Sequence, residues 1–197
     1  IGKKLVDYFR ENDPVGSTAW TVFDRNLVGR VLKEHNLPNW LAKEMTEDRV
    51  SEIKETMRAL FGSSFSAQTL VKMTGETILW LAHLGKVILV GRGSNIVTRN
   101  LQDGFHVRVI GSLEKRSAQV QDYYQLGREQ ARLLIEREDG GRKRYLKANF
   151  GKSIDDPLLY HLIINTDTIT YEEAAKMIGR IVLERLNGAR REKPEKH

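Results

Sequence analysis

The sequence predicts an α/β fold of three layers, with a parallel sheet flanked by helices. Two observations predict it. Short apolar runs alternate with longer stretches whose apolar residues recur at helical spacing, and strands that alternate with helices pair in parallel. One of these runs, residues 86–90 (KVILV), is dominated by apolar residues without a break, the mark of a strand covered on both faces.

In chain order, residues 1–9 (IGKKLVDYF) place Ile1, Leu5, Tyr8 and Phe9 on one helical face. Residues 19–23 (AWTVF) read as a buried strand that ends at Asp24, and residues 26–35 (NLVGRVLKEH) as a helix. Pro38 punctuates the chain. Thr46 is placed to cap a helix that stops at Gly62. Ser66 is placed to cap another that runs to about Leu84 despite Gly75. The strand at 86–90 leads into Gly91-Arg92-Gly93 and a short helix. Residues 105–110 (FHVRVI) form the next strand, followed by Gly111-Ser112 and a helix from Leu113. Charged helix continues to about Asn149, broken at Gly127 and at Gly140-Gly141. Residues 162–164 centre a last strand. Thr170 caps the closing helix, with Glu172 and Glu173 in its first turn and Arg185 near its end, the charge order that suits a helix dipole. The chain reads as one domain over residues 1–188 with a polar tail at 189–197. The helical stretch 26–85 is long for a simple crossover and reads as an insertion that caps the site.

The chain has 197 residues and no cysteine. That excludes a disulfide scaffold and any Cys-ligated zinc or iron–sulfur site, and fits a reducing compartment such as the cytoplasm. No apolar run approaches the roughly 20 residues of a membrane span, and no signal peptide is visible. The first residue is Ile1 rather than Met, which predicts an upstream piece of the natural chain. The formal net charge is +6. It is unevenly spread: residues 86–152 hold 14 of the 32 Lys and Arg but only 7 of the 26 Asp and Glu. Charge alone reads as a solvated helix face. Clustered arginine also suits an anion site, because the guanidinium is a planar, always-charged fork. Interleaved acids, and the lack of regularly spaced aromatics, argue against a long nucleic-acid footprint.

Ligands of parallel α/β sheets bind beyond the carboxyl ends of the strands. The residues there are Asp24-Arg25, Gly91-Arg92-Gly93, Gly111-Ser112 and Asn165-Thr166-Asp167. The five histidines show no metal-ligand spacing. Trp20, Trp40 and Trp80 read as core or cap packing. Asp155-Asp156 before Pro157 reads as a polar turn, since adjacent residues do not normally converge on one metal ion.

At these positions the sequence resembles the cytidylate kinase-like family of P-loop proteins, relatives of the nucleoside monophosphate kinases. The stretches that carry the resemblance are IGKKLVDYF, FDRNLV (23–28), VILVGRGSNIV (87–97), FHVRVIGSLEKR (105–116), DGGRKRYLKANFGK (139–152) and DDPLLYHLIINTDTITYEEAAKMI (155–178). Their shared order makes the assignment, and residues 39–85 contribute least. The resemblance implies a P-loop NTPase-like fold with five parallel strands, a nucleotide-binding insertion and a lid at 134–152. The first, central strand and the phosphate loop are then expected upstream of residue 1. No G-x-x-x-x-G-K-[ST] occurs in this chain. Gly2-Lys3 resembles its end but reads as helix interior.

The implied activity is transfer of the γ-phosphate of ATP, with Mg²⁺, to a nucleoside monophosphate such as CMP. Its partners are nucleotides, not nucleic acid or membrane. By resemblance, Arg92 contacts the acceptor nucleotide. Asp24 orients an arginine or a metal-bound water and Arg25 meets the acceptor phosphate; the alternative is an N-cap Asp beside a solvated Arg. Arg137 and Arg142 act on the phosphoryl group, and Arg144 flanks them. These three frame Gly140-Gly141 as a hinge, Arg142 matching the family spacing best, or lie on a charged helical hairpin bound only by water. Asp139 orients an arginine, and Arg116 supports the lid or forms an ion pair. Asp156 contacts the acceptor base or sugar, or belongs to the polar turn. The other readings are a nucleotide-binding regulatory protein without turnover and a kinase for another small acceptor.

Overall fold

The computed structural model describes residues 1–13, 19–24, 26–36 and 67–192. The helix expected from Thr46 to Gly62, Arg25, Trp40, the Ser66 cap and the end of the tail lie outside the described residues. The elements run α1 (Gly2–Asn12), β1 (Thr21–Phe23), α2 (Asn26–Glu34), α3 (Ala67–Leu84), β2 (Val87–Leu89), α4 (Ser94–Val97), β3 (Val107–Ile110), α5 (Leu113–Tyr124), α6 (Arg128–Phe150), a 3₁₀ turn (Pro157–Leu159), β4 (Leu162–Asn165) and α7 (Tyr171–Glu192). No helix among the described residues is long and apolar enough to cross a membrane.

The strands are parallel, as the alternation of elements requires, but they form two separate ladders. β1 pairs with β2 in register Thr21↔Val87, and β3 pairs with β4 in register Val107↔Leu162. In β2, the Lys86 carbonyl and the Val90 N–H bond to β1. Along β3, the carbonyl of His106, just before it, accepts from His161 and Leu162, and the Ile110 carbonyl accepts from Thr166, just after β4. Because a strand's bonding alternates, Val87 and Leu89, and Val107 and Val109, turn their backbone groups away from these partners. Among the described residues no strand pairs with those two edges. A cleft of about 2310 Å³ is lined by residues of both strands. It explains one departure from expectation: Val87, Ile88 and Leu89 are only half-buried and Val90 is exposed, instead of the full cover that an apolar run predicts.

α1 packs on α7 through the spacing seen in the sequence. Leu5 and Phe9 are buried with Ile164, Ala174, Ala175 and Ile178, and Trp20 packs at the border of that cluster. Trp20 lies flat on Phe9 at 3.9 Å and donates its indole N–H to Asp13 Oδ2 at 2.9 Å, while Lys86 Nζ sits 3.0 Å from the same oxygen. A second core joins Leu27 of α2 to Ile78 and Leu81 of α3, under Phe23 and Leu89. A third joins Tyr145 and Leu146 of α6 to Val71, Ile96, Phe150 and Ile154. Gly179 of α7 lets Tyr8 lie against the helix: a Cβ there would come within 2.2 Å of the Tyr8 ring. We expect Gly179→Ala to cost about 1–3 kcal/mol, the usual range for overpacking, because its gain in helix propensity of about 1 kcal/mol is smaller than the clash. Urea unfolding measures it, and a stabilised variant would show that Tyr8 packs elsewhere.

Ser112 and Thr170 cap their helices, the second where the sequence places a cap. Ser112 Oγ accepts from Lys115 N. Thr170 and Glu173 form a reciprocal box, with Glu173 Oε2 accepting from Thr170 N at 2.8 Å and Thr170 Oγ1 accepting from Glu173 N at 3.2 Å. α6 departs from expectation. It starts after Gly127, as anticipated, but runs unbroken through Gly140-Gly141. Two glycines cost about 1 kcal/mol each in a helix. Packing outweighs that cost: Gly141 is buried, Ala131 and Ile135 are buried upstream, and Tyr145 and Leu146 downstream.

The amino ends of β3 and β4 meet through two histidines. His106 N donates to His161 Nδ1 at 2.9 Å, and their rings stack at 5.0 Å. Thr98 Oγ1, which donates to Ser94 O at 2.7 Å, lies 3.0 Å from His106 Nε2. Burial first, then the charges of His161 and Arg185, hold His106 below its ordinary 6.5. A histidine whose folded pKa is depressed favours folding while neutral. Stability is therefore lost as pH falls from about the unfolded value of 6.5 towards the lower folded value. We expect the unfolding free energy to decline below about pH 6.5 and His106→Gln to flatten that decline. An equal slope in the variant would assign the effect to another group.

Candidate functional site

The site lies at the carboxyl ends of the strands, at the mouth of the cleft. β2 ends in three successive residues of positive φ: Gly91 (80°), Arg92 (57°) and Gly93 (67°). A left-handed backbone costs an L-residue such as arginine roughly 1–2 kcal/mol, so the surrounding structure holds Arg92 there. Gly93 is required twice over: its φ suits glycine, and a Cβ would lie 2.5 Å from the Phe150 ring. The turn therefore sits under the carboxyl end of α6, and half-buried Arg92 lines the cleft.

Opposite it, after β3, Arg116 Nη1 of α5 donates to Asp139 Oδ2 at 2.8 Å. Arg142 Nη2, one turn along α6 from that aspartate, donates to Asp139 Oδ1 at 2.5 Å. One carboxylate thus holds two guanidiniums. Arg116 Nε is buried and has no hydrogen-bond partner. Burial, the largest single influence, opposes ionisation of Asp139. The hydrogen bonds and charges of Arg116 and Arg142 together outweigh it and hold its pKa below the ordinary carboxylate value. Asp139 is ionised at neutral pH and aligns the arginines; the trio carries one net positive charge, with Glu138 Oε2 3.9 Å from Arg142 Nη1 beside it.

Of the residues expected at the site, Asp24, Arg92, Arg116, Asp139 and Arg142 line the one cleft. The Asp24 carbonyl accepts from Leu27 N, so Asp24 also opens α2. Arg137 and Arg144 are exposed and not among the cleft-lining residues; Arg137 pairs with Glu138 at 3.4 Å. Asp156 lies outside it too and caps the 3₁₀ turn, accepting from Leu158 N at 3.0 Å. The loop after β4 is occupied internally. Asp167 accepts from Ser112 N and Oγ, and Thr166 Oγ1 donates to the Ile110 carbonyl. Trp80 is exposed beneath the Arg30 guanidinium.

Sequence reasoning missed Arg108, Lys143 and Tyr160 of the cleft wall. Arg108 was visible as a lone charge inside the apolar run FHVRVI. Among the described residues, no group of three or more His, Cys, Asp or Glu could hold a metal ion. Mg²⁺ carried on nucleotide phosphates needs only one or two carboxylates from a protein, and Asp24, at the end of β1, lines the cleft.

The sequence model of the cytidylate kinase-like family matches residues 19–168. The chain belongs to that family, and is a kinase-like nucleotide-binding protein. Among solved structures, an uncharacterized protein from Eubacterium ventriosum is similar in fold, with a TM-score of 0.52 at 17% identity over 84% of this chain and 98% of that one. No curated protein matches.

Proposed function

We propose that this member of the cytidylate kinase-like family transfers the γ-phosphate of ATP to a nucleoside monophosphate, with CMP the first acceptor to test. The observation that carries the reading is that Arg92 lines the same cleft as the hydrogen-bonded group Arg116–Asp139–Arg142. Phosphoryl transfer asks a protein for position and charge neutralisation more than covalent chemistry. Arg92, on its constrained turn, holds the acceptor phosphate. An oxygen of that phosphate forms the new bond to the γ-phosphorus as the bond to the ADP oxygen breaks. Arg142 and Arg116 meet the charge on the group in flight, with Asp139 keeping their forks aligned. Mg²⁺, when bound with ATP, neutralises the triphosphate. Residues 134–152, the greater part of α6 and the two residues after it, serve as the lid that excludes water. The central strand and phosphate loop that the resemblance expects upstream of Ile1 belong, on this reading, between the free edges of β2 and β3, with the loop at the same mouth.

The test is an acceptor panel: the natural chain, with any residues that precede Ile1, given Mg²⁺-ATP and each nucleoside monophosphate. Diphosphate formation with one acceptor supports the reading. Folded protein that binds nucleotide but forms no diphosphate favours the regulatory reading. ATP turnover only with another small acceptor favours the third. We further expect Arg92→Ala to raise the KM for the acceptor about 10- to 100-fold, as losing a charge-assisted contact of about 1.5–3 kcal/mol implies, with ATP affinity nearly unchanged. Equal losses for both nucleotides would remove Arg92 from the acceptor side.

A further inference from the structure

Arg108 is the least expected charge in the structure. It lies in the middle of β3, between Val107 and Val109, and its side chain is 20% exposed. A cation taken from water there must be matched by good partners, and it is. Nη1 donates to the Ile154 carbonyl at 2.5 Å and lies 3.3 Å from the Tyr160 hydroxyl, while Nη2 donates to Asp155 Oδ1 at 2.8 Å. Tyr160 Oη donates to the same Ile154 carbonyl at 3.0 Å, and its ring lies under the guanidinium. All of these partners belong to the 154–160 segment that follows α6.

The chain of contacts continues into α6. The second oxygen of Asp155 lies 3.2 Å from Lys143 Nζ. The Ile154 side chain packs against the cluster of Tyr145 and Leu146. Lys143 is the neighbour of Arg142, and Asp139 lies one turn earlier on the same helix. Arg108 therefore fixes the segment that returns on α6, both by charge through Asp155 and Lys143 and by packing through Ile154. Ile154, Asp155 and Tyr160, its partners, all lie outside the Arg116–Asp139–Arg142 group.

We propose that Arg108 is a positioning residue for that arginine group, setting the seat of α6 on the sheet through Ile154, Asp155 and Lys143. The inference rests on the reading that the group binds phosphate. The distinction from a purely structural role is physical. Asp155 is 56% exposed and recovers hydration when its partner is lost. An apolar side chain of similar length fills the volume of Arg108, and the cost of breaking a buried pair, which comes from the charge left unpaired in the interior, is limited here because that charge is the half-exposed Asp155. Arg108→Met thus removes the positioning bonds while largely keeping the core.

The experiment titrates inorganic pyrophosphate into the natural chain and into its Arg108→Met, Arg108→Lys and Arg142→Ala variants, with hydrogen exchange followed over residues 139–151. We expect Arg108→Met to weaken pyrophosphate binding 5- to 20-fold and to speed exchange in that stretch, at an unfolding midpoint close to the parent's. Arg108→Lys keeps one donor and recovers part of the affinity. Unchanged affinity and exchange in a folded Arg108→Met protein overturn the inference while leaving the phosphate reading intact, provided Arg142→Ala weakens binding. Pyrophosphate binding that is absent in the parent, or indifferent to Arg142→Ala, overturns both. If Arg108→Met fails to fold, Arg108→Lys alone decides: affinity and exchange equal to the parent's overturn the inference, and a loss of both with an unchanged midpoint supports it.

Discussion

Replacing Arg142 with alanine lowers turnover by about 10²- to 10³-fold, the range for losing one donor to transition-state charge, with the acceptor KM changed only a few-fold. The reason is its geometry. Its guanidinium is held at 2.5 Å by Asp139, beside Arg116, so its orientation is set before substrate arrives. Pre-set donors act on charge that develops during reaction more than on the ground state, so Arg142→Ala weakens phosphate binding measurably but by a smaller factor than it lowers turnover. Stability changes little, because the side chain is 37% exposed and its ion pairs are screened. Asp139 loses one of the two partners that hold its pKa down. A depressed carboxylate stabilises the fold above its unfolded pKa, near 3.8, and that contribution disappears as pH falls through the folded value. The variant therefore loses part of the parent's acid sensitivity in that window. Steady-state kinetics at saturating ATP, with unfolding measured from neutral pH down to the acid transition, checks both points. Unchanged turnover in folded protein would remove Arg142 from the reaction.

Gly93→Ala destabilises the protein by about 2–4 kcal/mol. Two separate costs add: roughly 1 kcal/mol or more for a left-handed L-residue, and about 1–3 kcal/mol for inserting a methyl where no space exists. The backbone there has φ of +67°, and the new Cβ would meet Phe150 Cε2 at 2.5 Å. Phe150 ends α6, so relief of the clash shifts either the Arg92 turn or the end of the helix. Urea unfolding reads the loss. The double variant Gly93→Ala with Phe150→Leu recovers only the steric part, since the backbone cost remains. A loss under about 0.5 kcal/mol, the scale of an ordinary surface change, would falsify the packing of Phe150 on this turn.

Both predictions concern residues whose types and neighbours in sequence were legible. The Gly-Arg-Gly turn stood at the end of an apolar run, where a parallel sheet presents its ligand edge. Asp139 and Arg142 stood in the basic stretch 86–152 and carried the resemblance to the kinase lid. Less legible was the behaviour of Gly140-Gly141. Local propensity predicts a break there, yet α6 continues because buried residues on either side hold it against its neighbours. Arg137, Arg142 and Arg144 looked alike by composition. The helix separates them: only Arg142 faces the cleft, since the three do not share one face at 3.6 residues per turn.

By itself the sequence determined the order of strands and helices, the cap at Thr170, and the strand ends where a site could form. These follow from interactions within about four residues, which periodicity and capping chemistry report directly. Tertiary structure alone decided which charges meet. Arg116 reaches Asp139 across 23 residues of chain, and Arg108 reaches Asp155 across 47. It also decided that the described strands form two parallel ladders. Such pairings depend on how distant elements seat against one another, and a side chain's type does not specify its remote partner.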